Sequence, residues 1–395
     1  MKQEIRKYGK ATLALILAAL LSISCCAAEE AVPSVFTSDM VERSLVSIGN
    51  TERLHAAIAK AQAGETVTIA YLGGSITEGA LAQPQQTCCY AALSAKQFAE
   101  SYMPDPEKLN YVNAGISGTP SLLGITRLEQ DVLRHQPDIV FVEFAVNDSG
   151  DTISQGVYES LLRKLLTSDS QPAVILLFTV LSGGHSCQDH MAMLGRHYDL
   201  GMISVKDAIW PNIEQGHLAW SDYSPDYAHP TTEGHAFVAE LIAHYFAEAS
   251  MVQPEPFAMP RFVRVSNLLE GLENIRHGDE RIVSEGSFPF AALNCYSYHE
   301  GWWHQDGAEP LSLSVEGSSM TIAFKQMKEG GWGSAEVWVD GICKATLPGY
   351  SETAWGNVQT QLITFGSKGE HTIEIRMAQG QEELTFQLLD LAVAP

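Results

Sequence analysis

Between residues 50 and 250, short runs of almost unbroken apolar residues alternate with stretches in which apolar residues recur every three or four positions. The runs at 67–72, 111–114, 139–144, 174–180 and 202–205 are too short for helices, and their spacing predicts strands. Apolar residues at nearly every position, rather than at every second one, suit parallel strands covered on both faces. Between the runs, Ile125, Leu128 and Val132, and then Val157, Leu161 and Leu165, fall on single helical faces. Phe237, Leu241 and Tyr245 do the same in a last helix. This alternation predicts an α/β domain of three layers, with a parallel sheet between helices.

The pattern stops at residues 251–262, where Pro254, Pro256 and Pro260 remove amide donors that a helix or ladder would need. We read that stretch as a linker. Beyond it the period changes to two, in Leu311, Leu313 and Val315, then Met320, Ile322 and Phe324, then Val337 and Val339, then Ile373 and Ile375. Residues 263–395 are therefore expected to form a β-sandwich.

The first residues read as an address rather than as fold. Lys2, Arg6, Lys7 and Lys10 precede an apolar run at 11–23, followed by Ser24, Cys25, Cys26, Ala27 and Ala28. That order predicts a secretory signal over residues 1–28, and hence a secreted or cell-surface protein whose first domain spans 29–250. Cys25 or Cys26 is the candidate acceptor if the chain is a lipoprotein. Lys plus Arg number 24 against 47 for Asp plus Glu, a formal net charge of −23. So acidic a chain repels nucleic acid and anionic membranes, and no apolar run after residue 30 approaches the ~20 residues needed to span a bilayer. Neutral partners remain, such as sugars and small esters. The cysteines beyond the leader, Cys88, Cys89, Cys187, Cys295 and Cys343, are odd in number and scattered. They suggest neither a disulfide framework nor zinc.

Candidate chemistry gathers at strand ends. The first core strand runs into Gly73, Gly74 and Ser75, followed by Ile76, Thr77, Glu78 and Gly79. Ligands of open parallel sheets bind at the carboxyl edge, where this serine stands. No Gly-Lys-Ser/Thr follows, which excludes a P-loop, and Thr77 stands where a Gly-x-Ser-x-Gly elbow needs glycine. The second strand leads to Gly118 and the third to Asn147, both able to offer donors to an oxyanion at the same edge. Of thirteen histidines, His229 is singled out by Asp226 three residues before it and by Pro230, Thr231 and Thr232 at a helix start. His299, Glu300 and His304 imitate a zinc motif, but the two histidines are five apart rather than four, and we discard it.

Taken together, a serine after strand one, glycine after strand two, asparagine after strand three and Asp-x-x-His before the last helix resemble the SGNH (GDSL-like) hydrolase family. The resemblance spans about residues 65–250. It implies a flavodoxin-like catalytic domain, Ser75 as nucleophile, His229 as base and Asp226 as its orienter. It also implies an oxyanion hole made by the Ser75 and Gly118 amides and the Asn147 side chain, with no metal or organic cofactor. Two positions depart from the family pattern: Gly74 replaces the usual acid of Gly-Asp-Ser, and Ala145 replaces a glycine before Asn147. The first block looks more like that of carbohydrate-esterase relatives than of lipases.

Five of the seven tryptophans lie between 302 and 355, which raises glycan binding by the second domain. Trp302, Trp303 and Trp332 stand beside glycines and are the candidates for stacking on sugar; Trp338 alternates with Val337 and Val339 and is assigned to the sheet. The reading is an exported serine esterase that removes short acyl groups, acetyl first, from an acylated glycan. A lipase or lysophospholipase, an acyltransferase and a glycan-binding protein with an inactive esterase domain are the alternatives.

Overall fold

The computed structural model describes residues 34–395, so the expected leader at 1–28, with Cys25 and Cys26, lies outside the described residues. The first sheet contains β1 (Leu45–Ser47), β2 (Val67–Gly73), β3 (Leu109–Gly115), β4 (Ile139–Glu143), β5 (Ala173–Phe178) and β6 (Gly201–Ser204). Its order is β1-β6-β5-β4-β2-β3. Strands β2 to β6 pair in parallel, each within a residue or two of its expected place. The antiparallel edge strand β1 is three residues long, too short to leave a period in the sequence. Every residue of β2 and β4 is buried, as strands with helices on both faces must be.

Alternate side chains divide between the two faces. On one, Tyr71 stacks on Phe141 at 4.9 Å, and Phe246 of the helix Thr232–Met251 packs edge-on against Phe141. On the other, Ala70, Leu72, Val140 and Val142 join Val157, Leu161 and Leu165 of the helix Thr152–Leu166. Ile125, Leu128 and Val132 are all buried as expected, but not on one helix. They sit on the short helices Ser121–Thr126 and Leu128–Asp131 and at the residue after them. The break falls at Arg127, a fully buried guanidinium that donates to the carbonyls of Gly73 and Ala114 at 3.2 and 2.7 Å and to Asp131 at 2.9 Å. It clamps the carboxyl ends of β2 and β3 together.

After the helix ending at Met251, a stretch with little regular structure leads to an antiparallel β-domain. Its strands are β7 (Glu273–Ile275), β8 (Ile282–Ser284), β9 (Phe290–Cys295), β10 (Tyr298–His304), β11 (Leu311–Lys325), β12 (Ser334–Val339), β13 (Ile342–Pro348), β14 (Val358–Met377) and β15 (Phe386–Ala394). The main path is β13-β12-β14-β11-β15-β10-β9. A register shift near Gly317 and Ser319 lets β11 pair with β8 before it and with β15 after it. One long strand thereby pairs with β14 along its length and with β8 and β15 at its two ends, beside the core of Leu311, Leu313, Ile322, Val337, Ile373 and Ile375. The two parts of the chain are bonded together: Thr126 Oγ1 donates to Thr321 Oγ1, Asn274 Nδ2 to the Thr126 carbonyl, and Ser297 Oγ to Asp131. Ala392 and Ala394 of β15 join the α/β core.

Candidate active site

The register of the parallel strands sets Gly73, Gly115 and Glu143 side by side at the carboxyl edge of the sheet. The parallel strands follow the order β3-β2-β4-β5-β6, so the winding reverses between β2 and β4 and a crevice opens there. Ser75 enters it as the first residue of a one-turn helix, Ser75–Glu78, and Asn147 enters from the turn after β4.

His229 reaches the same crevice from the opposite end of the domain's sequence. The loop carrying it is fixed by the carboxylate of Asp226, whose Oδ1 accepts from the Ala228 and His229 amides at 2.8 and 2.7 Å. Thr231 then caps the helix Thr232–Met251 by accepting from the Gly234 amide. Held this way, His229 Nδ1 lies 2.7 Å from Asp226 Oδ2 and Nε2 lies 2.9 Å from Ser75 Oγ. Burial pushes the Asp226 carboxyl up, but the hydrogen bonds from the His229 ring and the two amides outweigh it and hold the group at about 2. An ionised carboxylate only accepts, so the proton between Asp226 and His229 belongs to Nδ1, and Nε2 is left to accept from the serine.

Three donors at this edge are unengaged. The amides of Ser75 and Gly118 and the side-chain nitrogen of Asn147 make no hydrogen bond to another described residue. Their loops are nevertheless tied down. Ile116 N donates to the Gly73 carbonyl, and Asn113 spans the gap by accepting from Gly115 N and donating to the Thr77 carbonyl. Asp148 Oδ1 accepts from the Ser121 amide at 2.7 Å and links the Asn147 turn to the loop after Gly118; burial raises its carboxyl to about 7. Gly118 has φ +73°, a conformation that favours glycine.

The absent acid at position 74 has a steric reason. A Cβ on Gly74 would overlap Asn147 Oδ1 and press on the rest of that amide. In this chain the Asn147 side chain occupies the space that a side chain at 74 would need.

These residues share the arrangement of a serine hydrolase, and comparison with known proteins gives it a family. Residues 71–237 match the model of the GDSL-like lipase/acylhydrolase family. This part of the chain is a GDSL-like acylhydrolase domain. Among solved structures, the whole chain is similar to a two-domain esterase active on acetylated mannans, with 28% identity and a TM-score of 0.79 over 90% of this chain and 98% of that one. That structure was co-crystallised with mannopentaose; a second structure of such an esterase gives the same identity and score over 99% of its chain. A comparison with curated protein sequences gave no match.

The β-domain meets the acylhydrolase domain at its crevice, through residues other than those expected. Trp302 is 2% exposed, edge-on to Phe290 in the β-domain core, and cannot stack on a sugar. The expectation of exposure fails because Gly301, its neighbour, marks a close approach of the β15 backbone at Leu388 rather than an open loop. Trp303 and Trp332 are half-buried; the ammonium of Lys325 lies 5.8 Å from the Trp332 ring centre. None of the three touches Ser75, Gly118, Asn147 or His229 in any described contact. Trp338 lies on the sheet surface under Arg376, as the alternation predicts.

An exposed aromatic residue does stand at the site: Trp355, 59% exposed, whose ring would lie 3.3 Å from a Cβ on Gly118. Its Nε1 donates to the Tyr296 hydroxyl at 3.3 Å, and Tyr296 in turn bonds with Ser117, which donates to Glu78 Oε2 at 2.5 Å. Tyr296 adopts φ +51°, an uncommon value for a tyrosine, at the turn between β9 and β10. Glu143, beneath the turn that carries Ser75, is another residue that sequence reasoning passed over. Among the described residues, no cluster of His, Cys, Asp and Glu fit to hold a metal is present, and no helix is long and apolar enough to cross a membrane.

Proposed function

We propose that the protein is an exported serine esterase that removes short acyl groups, acetyl first, from a polysaccharide or oligosaccharide. The observation that carries this reading is the unbroken line from Asp226 Oδ2 through His229 to Ser75 Oγ, with hydrogen bonds of 2.7 and 2.9 Å. Ser75 Oγ attacks the ester carbonyl as its proton passes to His229 Nε2. The carbonyl oxygen gains negative charge against the Ser75 and Gly118 amides and the Asn147 side chain. His229 then protonates the departing sugar oxygen, leaving an acyl group on Ser75, and finally activates the water that releases the acid. The glycan follows from the likeness, over nearly the whole length of both chains, to an esterase active on acetylated mannans. Export follows from the residues at 1–28. The test is acetate release from acetylated mannan, xylan and pectin by the full chain; release from none of them, with simple esters still cleaved, overturns the glycan assignment.

Two further outcomes are expected. Trp355 presents an exposed ring beside Gly118, where the sugar bearing the ester would lie. An aromatic contact is worth about 0.5–1.5 kcal/mol. Trp355→Ala should therefore raise KM for acetylated oligosaccharide roughly 3- to 10-fold while changing turnover of 4-nitrophenyl acetate little. Gly74→Asp, which restores the usual family residue, should lower kcat on 4-nitrophenyl acetate about 10²-fold, because the new side chain displaces the Asn147 amide.

One observation favours a second reading, hydrolysis of longer acyl chains. A cleft of about 500 Å³ adjoins Asn147 and has Leu122, Ile153, Val157 and Leu362 in its walls. Rates across 4-nitrophenyl esters from acetate to octanoate separate the two, since a short-acyl esterase falls off steeply beyond the first members.

A further inference from the structure

Glu143 ends β4 directly beneath the nucleophile turn and is completely buried. It stands in the run Ile139-Val140-Phe141-Val142-Glu143-Phe144, otherwise apolar throughout. Thr179 Oγ1 donates to one carboxylate oxygen at 2.6 Å and Thr77 Oγ1 to the other at 3.0 Å. With its proton committed there, Thr77 accepts from the Tyr90 hydroxyl at 2.7 Å. Thr77, two residues after Ser75, thus ties the carboxylate to the turn that carries the serine. No cation pairs with it among the described residues. Burial raises its pKa, and the hydroxyl and amide donors oppose that rise.

An unpaired carboxylate in a dry interior is expensive, and a neutral group of the same shape generally stabilises a fold in its place. Its retention needs a reason other than stability. We propose that Glu143 is a positioning residue for the nucleophile: tied to β5 by Thr179, it holds Thr77 and with it the turn in place, which fixes Ser75 Oγ against His229 and keeps the Ser75 amide free for the substrate's carbonyl oxygen. The inference rests on the proposed role of Ser75. It gives the turn a buried carboxyl group that position 74, crowded by Asn147, cannot supply.

The test uses Glu143→Gln in the full chain. The amide keeps the shape, and the Thr179 hydroxyl can reverse to accept from it, but one of the two acceptor oxygens is lost. Expected are a kcat on 4-nitrophenyl acetate lower by about 10²-fold, a KM within roughly threefold, and an unchanged or raised Tm. Labelling of Ser75 by a fluorophosphonate should slow in parallel. Wild-type kcat in the variant, or a loss confined to KM, overturns the proposal. If wild-type protein itself resists the fluorophosphonate at Ser75, the serine assignment fails first, and the two failures are distinguishable. Should Glu143→Gln not fold, Thr179→Val removes one donor to the carboxylate. It should lower kcat roughly tenfold at constant KM, with Thr179→Ser restoring it; unchanged kcat in Thr179→Val overturns the proposal equally.

Discussion

Replacing Ser75 by alanine is expected to lower kcat on 4-nitrophenyl acetate on the order of 10⁶-fold, because the proposed acyl-enzyme route disappears with Oγ. Ser75 opens a short helix and accepts none of the bonds that hold its turn through a side chain, so the variant should fold and still bind substrate. Residual hydrolysis should come from the unengaged donors alone and should no longer respond to a second substitution at His229. Turnover of the alanine variant at the wild-type rate would show that another group performs the attack.

Asp226→Asn should be nearly as damaging, about 10⁴-fold in kcat with little change in KM. Asparagine keeps an oxygen for the Ala228 and His229 amides, so the loop retains its shape. What changes is the partner of Nδ1. An amide facing the ring can donate to it and stabilise the tautomer with hydrogen on Nε2, which cannot take the serine proton. The loop also bears on pH. A carboxylate held at about 2 contributes stability that is fully present above its unfolded value and is lost progressively as pH falls from there through about 2. Wild-type activity lost in weak acid is therefore not caused by protonation of Asp226. Steady-state kinetics between pH 4 and 8 check both statements, and a kcat in Asp226→Asn matching wild type would remove Asp226 from the mechanism.

The parallel sheet was legible because its strands are apolar on both faces, a pattern that few other elements share. The gathering of these side chains at one edge was legible for a different reason. Ser75, Asn147 and His229 are each unremarkable alone, but the ends of three consecutive strands and the loop before the last helix meet at one edge of such a sheet. What escaped was whatever depends on contacts between distant parts of the chain. Trp355 looks like any loop tryptophan until the fold sets it beside Gly118. Trp302 looks exposed beside its glycine until β15 is seen to pack there, and the register shift between Tyr298 and Glu300 disturbs the alternation that would have placed it inside. Glu143 did leave a signal, a lone acid within an apolar strand. Reading the run as a strand absorbed it.

The ring of Trp355 over Gly118 makes the second half of the gene part of the cleft wall, not cargo trailing behind an autonomous enzyme. Exchanging that half for a module from another esterase would open the Gly118 side of the crevice to bulk water, however well the new module gripped polysaccharide. Variation in glycan preference among such enzymes would accordingly arise by paired changes on either side of the seam, and tuning either part in isolation would degrade the other's work.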